Sequence, residues 1–289
     1  MKYSSRFFLY APFGLFLAIA LGVGIHWWLA ASALSTRLAA MNGREIVPGV
    51  TMRFASRSIA GFPFSLDTVF HGVLLRSDTP RGPTEWRPEQ FAMHALTYGR
   101  EETIFEAAGK QELSWTRDDG SKRRLVFAVG SLRASAIEDR EGLARFDFDL
   151  VGLDSTALTA RRLQFHIRRD GDDKVDLAAL ADDIRISAGH CPGLGDRLAT
   201  GRLMGTVTQA RSFSSLRAGA QDWGSAVANW RAAGGMLRID ALWLAPSGGK
   251  QTADQARSAS RLRAALAQTP ADRLFTVTDL LSAFCDAGH

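Results

Sequence analysis

The sequence holds two cysteines in 289 residues, too few for a scaffold stapled by disulfides. Cys191 and Cys285 form one candidate disulfide, worth about 4–5 kcal/mol through chain entropy for so long a loop; two buried free thiols are the alternative. GxSxG, HExxH, the Walker loop and GxGxxG are all missing, which removes the common hydrolase, metalloprotease and nucleotide-binding signatures. A basic block is missing too. The formal charge of +5 falls to +3 once Lys2 and Arg6 are subtracted, and arginine alternates with acid along the rest, so nothing points to nucleic acid. No catalytic residue, cofactor or metal ligand set is expected.

One absence is itself a signal. Residues 7–29, "FFLYAPFGLFLAIALGVGIHWWL", contain no Asp, Glu, Lys or Arg, and at about 1.5 Å per residue a helix of this length crosses the roughly 30 Å hydrocarbon layer. Lys2 and Arg6 precede the run and Trp27 and Trp28 stand near its far end, so the N-terminus is expected in the cytoplasm and the rest of the chain outside. A cleaved signal peptide competes, because "AASA" at Ala30 to Ala33 looks like a cleavage site, although signal h-regions run only about 7–15 residues.

Helical periodicity is rare between Pro48 and Ile186, where two-residue alternation dominates. Val50, Met52 and Phe54 begin it, and Phe91, Met93 and Ala95 continue it. Further on, Phe146, Phe148 and Leu150 alternate with aspartates, as Leu163, Phe165 and Ile167 do with polar residues. "TRDDGSKRR" and "RRDGDDK" read as hairpin turns. About ten strands without crossover helices imply an antiparallel meander with one apolar and one wet face. In "SSLRAGAQDWGSAVANWRAAGG", Leu216, Ala220, Trp223, Val227 and Trp230 make one helical stripe, with Ser214 or Ser215 as N-cap and Gly234 as the stop. The fold expected is α+β: an N-terminal transmembrane helix, a curved antiparallel β meander and a packed amphipathic helix near the C-terminus. The divisions expected are 1–36 for the stub and anchor, 37–245 for the β-rich domain, and 246–289 for a polar linker and helical tail.

The stretch "IAGFPFSLD", Ile59 to Asp67, opens a strand on a stiff corner. Gly61 permits an unusual backbone angle and Pro63 fixes its own, so a rigid bend is expected, with Phe62 and Phe64 anchoring it in apolar surroundings. Leu66 and Phe70 then continue the apolar face begun by Phe64. Gly49-Val50 ahead of a strand, the corner Ala60-Gly61-Phe62-Pro63-Phe64 leading into Leu66-Asp67, and "NWRAAGG" at 229–235 before a strand containing Trp243 resemble the family called domain of unknown function 2125. The resemblance spans residues 1 to 245; the tail departs, with helical patterns at 261–268 and 278–284 where a Gly-rich hairpin would be expected. It implies a membrane-anchored envelope protein of Gram-negative bacteria, mainly alphaproteobacteria, attached to the inner membrane through residues 7–29 with its bulk in the periplasm. It implies no catalytic residues. A looser, fold-level similarity to AsmA-like proteins suggests an apolar concave sheet face that handles lipid.

Other chemistry is weakly encoded. His71, His94, His166 and His190 are scattered, "GHCPGLGD" at 189–196 reads as a loop, and "DGDD" at 170–173 lacks a calcium-loop pattern. Two functions are therefore expected to compete: a non-enzymatic protein whose curved sheet binds lipid or another apolar ligand in envelope maintenance or lipid transport, and a scaffold that recruits an envelope protein partner.

Overall fold

The computed structural model describes residues 5–47, 49–79, 82–97, 102–116, 120–139, 142–156, 158–171, 173–187, 197–213, 223–245 and 260. Cys191, Cys285, His190, the Ser214–Ala220 part of the predicted helix and the predicted tail helices lie outside them.

Helix α1, Ser5–Met41, runs for 37 residues with Pro12 inside it. At about 1.5 Å per residue it measures about 55 Å, far more than one hydrocarbon layer. It is the one helix among the described residues long and apolar enough to cross a membrane, and its most apolar stretch contains no buried residue. Its last turns behave differently. Leu34 and Leu38 pack into the sheet, so the helix passes the expected 36/37 boundary without a break and joins anchor to domain. Asn42 ends it, donating from Nδ2 to Phe54 O and accepting from Phe54 N, both at 3.0 Å.

Thirteen strands follow: β1 Arg44–Val47, β2 Val50–Arg53, β3 Ser56–Ala60, β4 Ser65–His71, β5 Leu74–Thr79, β6 Gly82–Leu96, β7 Glu102–Thr116, β8 Lys122–Asp139, β9 Gly142–Ser155, β10 Leu158–Asp170, β11 Lys174–Ile186, β12 Arg197–Thr208 and β13 Leu237–Ala245. From β6 to β13 each strand pairs antiparallel with the next, and the sheet does not close on itself. The long β6 serves two shorter partners, pairing with β5 through its first half and with β4 through its second. Register shifts interrupt the ladders at several places, as between Ala107 and Gly109, where Gly109 takes φ +73°; such bulges bend a strand and increase its twist. Both predicted hairpins form, with Thr116 opposite Lys122 and Asp170 opposite Lys174.

The alternation turns into continuous rows across the sheet. One row reads Phe70, Phe91, Ala107, Leu132, Leu150, Leu163, Ala181, Gly201, Leu244 from β4 to β13. The next reads Met93, Phe105, Ala134, Phe148, Phe165, Ala179, Leu203, Leu242. Because side chains alternate, these rows share one face. At the α1 end, Leu38, Met52, Phe54, Phe70, Val73 and Phe91 form a buried cluster, with Phe54–Phe70 and Phe70–Phe91 ring centroids 5.2 and 5.8 Å apart.

At the other end a 3-10 turn, Ala210–Phe213, and helix α2, Trp223–Ala232, lie between β12 and β13. Val227 and Trp230 are buried against Val207, Val175, Leu177 and Leu237, as the stripe predicted. Gly234 stops the helix with φ +79°, and Gly235 N donates to Trp230 O at 2.8 Å.

Candidate functional site

Three surfaces are candidates for function: the middle of the apolar face, the corner at residues 61–64, and the charged face behind the sheet. In the first, Phe148 on β9 stands directly opposite Phe165 on β10, with Phe146 opposite Ile167 in the adjoining row. All four are only partly buried, and none belongs to the two clusters that close the ends. The face is thus an unbroken apolar strip that begins at Leu34 and Leu38 of α1 and runs from β4 towards β13.

The corner divides in a way the sequence did not reveal. Leu66 and Phe70 are buried, as expected, together with Thr68. Phe62 and Phe64 are not enclosed: both are largely exposed. The reason is local. Phe64 N and Ser65 N both donate to Gly61 O, at 3.2 and 2.9 Å, so the chain turns through residue 64 and strand alternation starts only at Ser65. Phe62-Pro63 is a cis peptide and Gly61 takes φ +97°. A Cβ on Gly61 would stand 2.7 Å from Ser65 O and 2.6 Å from Asp67 Oδ2. Gly61→Ala is therefore expected to lower stability by about 2–3 kcal/mol, from the left-handed backbone and the clash together. Denaturant unfolding of the detergent-solubilised protein measures it; an unchanged midpoint would mean that the corner relaxes freely.

α1 is fastened to this corner. Trp27 Nε1 donates to Ser65 O at 2.8 Å, and its ring meets Phe62 edge-on with centroids 5.7 Å apart. Arg57 on β3 makes a second tie, donating from Nη2 to Ser35 O at 2.6 Å and to Ser35 Oγ at 3.0 Å. Beside it, Ser32, Ser35, Thr36, Arg57 and Ile59 line a shallow cleft of about 610 Å³. Neither tie was foreseen. Trp27 carries the usual signal of an interfacial tryptophan, and Arg57 lies in an unremarkable polar run.

The opposite face carries cross-strand ladders of charge. Asp67 Oδ1 lies 2.8 Å from His94 Nδ1, His94 Nε2 lies 3.6 Å from Glu106, and Arg133 reaches Glu106 at 3.4 Å. Arg162 grips Asp149 with two bonds of 2.7 and 2.8 Å, and His166 Nδ1 lies 2.7 Å from Asp147 Oδ1. These pairings account for His94 and His166 as ladder members, and among the described residues no group of His, Cys, Asp and Glu could hold a metal. Asp173, in the stretch weighed for calcium, instead accepts Arg211 N at 2.9 Å and ties the 3-10 turn to the sheet.

The ladders make stability depend on acid. The His94 hydrogen bond holds Asp67 below the ordinary aspartate value against the opposing effect of burial, and Arg162 does the same for Asp149. At Asp147 burial pushes the carboxyl up, but bonds from His166 and Arg145 outweigh it. Folded-state values below the unfolded 3.8 mean stabilisation that is present above that pH and lost as the pH falls through the lowered values. Each pair contributes little, because solvent screens it. A midpoint flat between pH 5 and 7, as about 3.9 for free aspartate implies, and falling below pH 4 is expected in denaturation series; a midpoint rising on acidification would contradict the ladder account.

No curated protein and no solved structure matches the chain, and the looser AsmA-like kinship finds no support in these comparisons. A family model described as "Uncharacterized protein conserved in bacteria" matches residues 27–273, and the chain belongs to that family, domain of unknown function 2125.

Proposed function

We propose that this is a non-enzymatic, single-pass inner-membrane protein whose periplasmic sheet accepts the acyl chain of a lipid on its apolar face, in lipid transport or envelope maintenance. The observation that carries the reading is continuity. The apolar rows begin where Leu34 and Leu38 of α1 meet Phe70 and Phe91, and they continue through partly buried Phe148 and Phe165 without a charged residue. A chain leaving the bilayer beside α1 would meet apolar side chains at each step, gaining about 25 cal/mol per Å² of apolar surface removed from water. The orientation rests on Lys2 and Arg6 ahead of the uncharged run.

Native mass spectrometry of the full-length protein, stripped of loosely held lipid by detergent exchange, tests the proposal. One retained phospholipid or fatty acid per chain is expected. A clean protein mass, or a stoichiometric protein partner in place of lipid, would favour the scaffold.

A further inference from the structure

We propose that the corner at Gly61–Phe64 is a second membrane contact, inserted among the lipid headgroups and upper acyl chains of the bilayer that α1 crosses. This rests on the reading of α1 as membrane-spanning and is separate from any lipid held on the sheet.

The position of the corner argues for it. α1 carries no charge from residue 7 to residue 36, and the about 20 residues that cross the roughly 30 Å hydrocarbon layer, counted from Arg6, end near Trp27, which places it at the boundary between hydrocarbon and headgroups, where tryptophan prefers to lie. Phe62 touches the Trp27 ring and Ser65 O accepts its indole N–H, which fixes the corner at that same depth. An element placed there must either avoid the lipid or be made for it.

Its surface is made for it. Phe62 is 60% exposed and Phe64 62%, and Leu96, paired with Ser65 at the end of β6, is 54% exposed. The four residues from Gly61 to Phe64 include no charge. The carboxylate of Asp67, two residues past Ser65, is held by Ser65 Oγ and His94.

Immersion also demands that backbone polar groups be paired within the protein, since an unpaired group in lipid costs several kcal/mol. The corner meets much of that demand. Gly61 O accepts from Phe64 N and Ser65 N, Phe64 O accepts from Thr97 N and Thr97 Oγ1 at 3.2 and 3.1 Å, Ser65 O accepts from Trp27, and Pro63 has no N–H. The two phenylalanines stand outward beside Gly61, whose φ of +97° leaves no room for a side chain without strain.

The consequence is mechanical. With α1 and the corner both in the bilayer, the start of the apolar face is held against the lipid surface.

The test uses the unaltered full-length chain in phosphatidylethanolamine and phosphatidylglycerol vesicles, doped with a phospholipid carrying a photoactivatable diazirine near its acyl carbonyls. After illumination, adducts are mapped by peptide mass spectrometry. Labelling of residues 61–64, along with α1, about tenfold above that of the exposed apolar residues Met204 and Trp243 is expected, as interfacial aromatic groups should give. Labelled α1 with residues 61–64 at the level of Met204 would overturn the inference alone. An unlabelled α1 would overturn the membrane-spanning reading, and the inference with it. The variant Phe62→Ser with Phe64→Ser should lose the corner adducts while α1 keeps its own; corner adducts undiminished in that variant would also refute the assignment.

Discussion

Trp230→Ala is expected to destabilise the protein by about 3–5 kcal/mol, the range for truncating a buried aromatic side chain. Trp230 is fully buried, its ring lies 5.8 Å from that of Phe213, and its Nε1 donates to Thr208 O at 2.6 Å. One side chain thus joins α2, the 3-10 turn and β12. The described part of α2 is ten residues long, shorter than the roughly 12–15 residues at which isolated helices become even marginal in water. Loss of the ring should therefore release the helix as well as lower global stability. Gly235→Ala should act through the same contact from the other side, because a Cβ there would lie 2.1 Å from Trp230 Nε1. Amide hydrogen exchange checks both: protection of residues 224–232 should disappear in each variant, and retained protection would mean that α2 is held by something other than Trp230.

The second large effect concerns ligand rather than fold. Phe148→Asp combined with Phe165→Asp is expected to reduce bound lipid by more than about tenfold, since placing charge where an acyl chain must lie costs well over 1.4 kcal/mol. The two positions face each other across β9 and β10 and lie outside both end clusters, so the sheet has the means to survive the change. Gln164→Asp lies one residue away and on the other face, which makes it the control. Lipid extraction after purification measures the difference, and circular dichroism confirms the β content. Equal lipid in all three proteins would mean that the bound lipid surrounds α1 and never enters the sheet.

Much of this architecture was legible because period-two alternation is a strong signal when a sheet has one wet face. Phe146, Phe148 and Leu150 alternating with Asp147 and Asp149 placed β9 and both its faces, and the steps of Val227 and Trp230 placed α2. Three strands escaped notice for identifiable reasons. β1 and β3 are four and five residues long, too short to display a period. β12 carries Gly201 and Gly205 in its inner rows and Thr200 and Thr206 opposite aspartates on the other face, so glycine stands where the alternation would show apolar side chains. β8 alternates in two pieces, Leu125, Phe127 and Val129 and then Leu132, Ala134 and Ala136, because the register shift opposite Gly109 changes which residues face inward.

The corner was half legible. Gly61 and Pro63 announced a rigid bend, and the bend is there. The side on which Phe62 and Phe64 would emerge depended on both Phe64 N and Ser65 N turning back to Gly61 O, which no periodicity encodes. Long-range ties were the least readable of all. Trp27 to Ser65 and Arg57 to Ser35 join segments far apart in sequence, and each involves a residue whose local context predicts only an interfacial helix end or a polar strand.

The central claim is that the apolar face of the sheet, and not the polar one, meets lipid. The most direct measurement places photoreactive p-benzoylphenylalanine at position 165 or at position 164 of the full-length protein and illuminates intact cells. Phe165 and Gln164 are neighbours on β10 that point to opposite faces. A lipid adduct from position 165 and none from position 164 is the result this account predicts; adducts from both positions, or from neither, would contradict it.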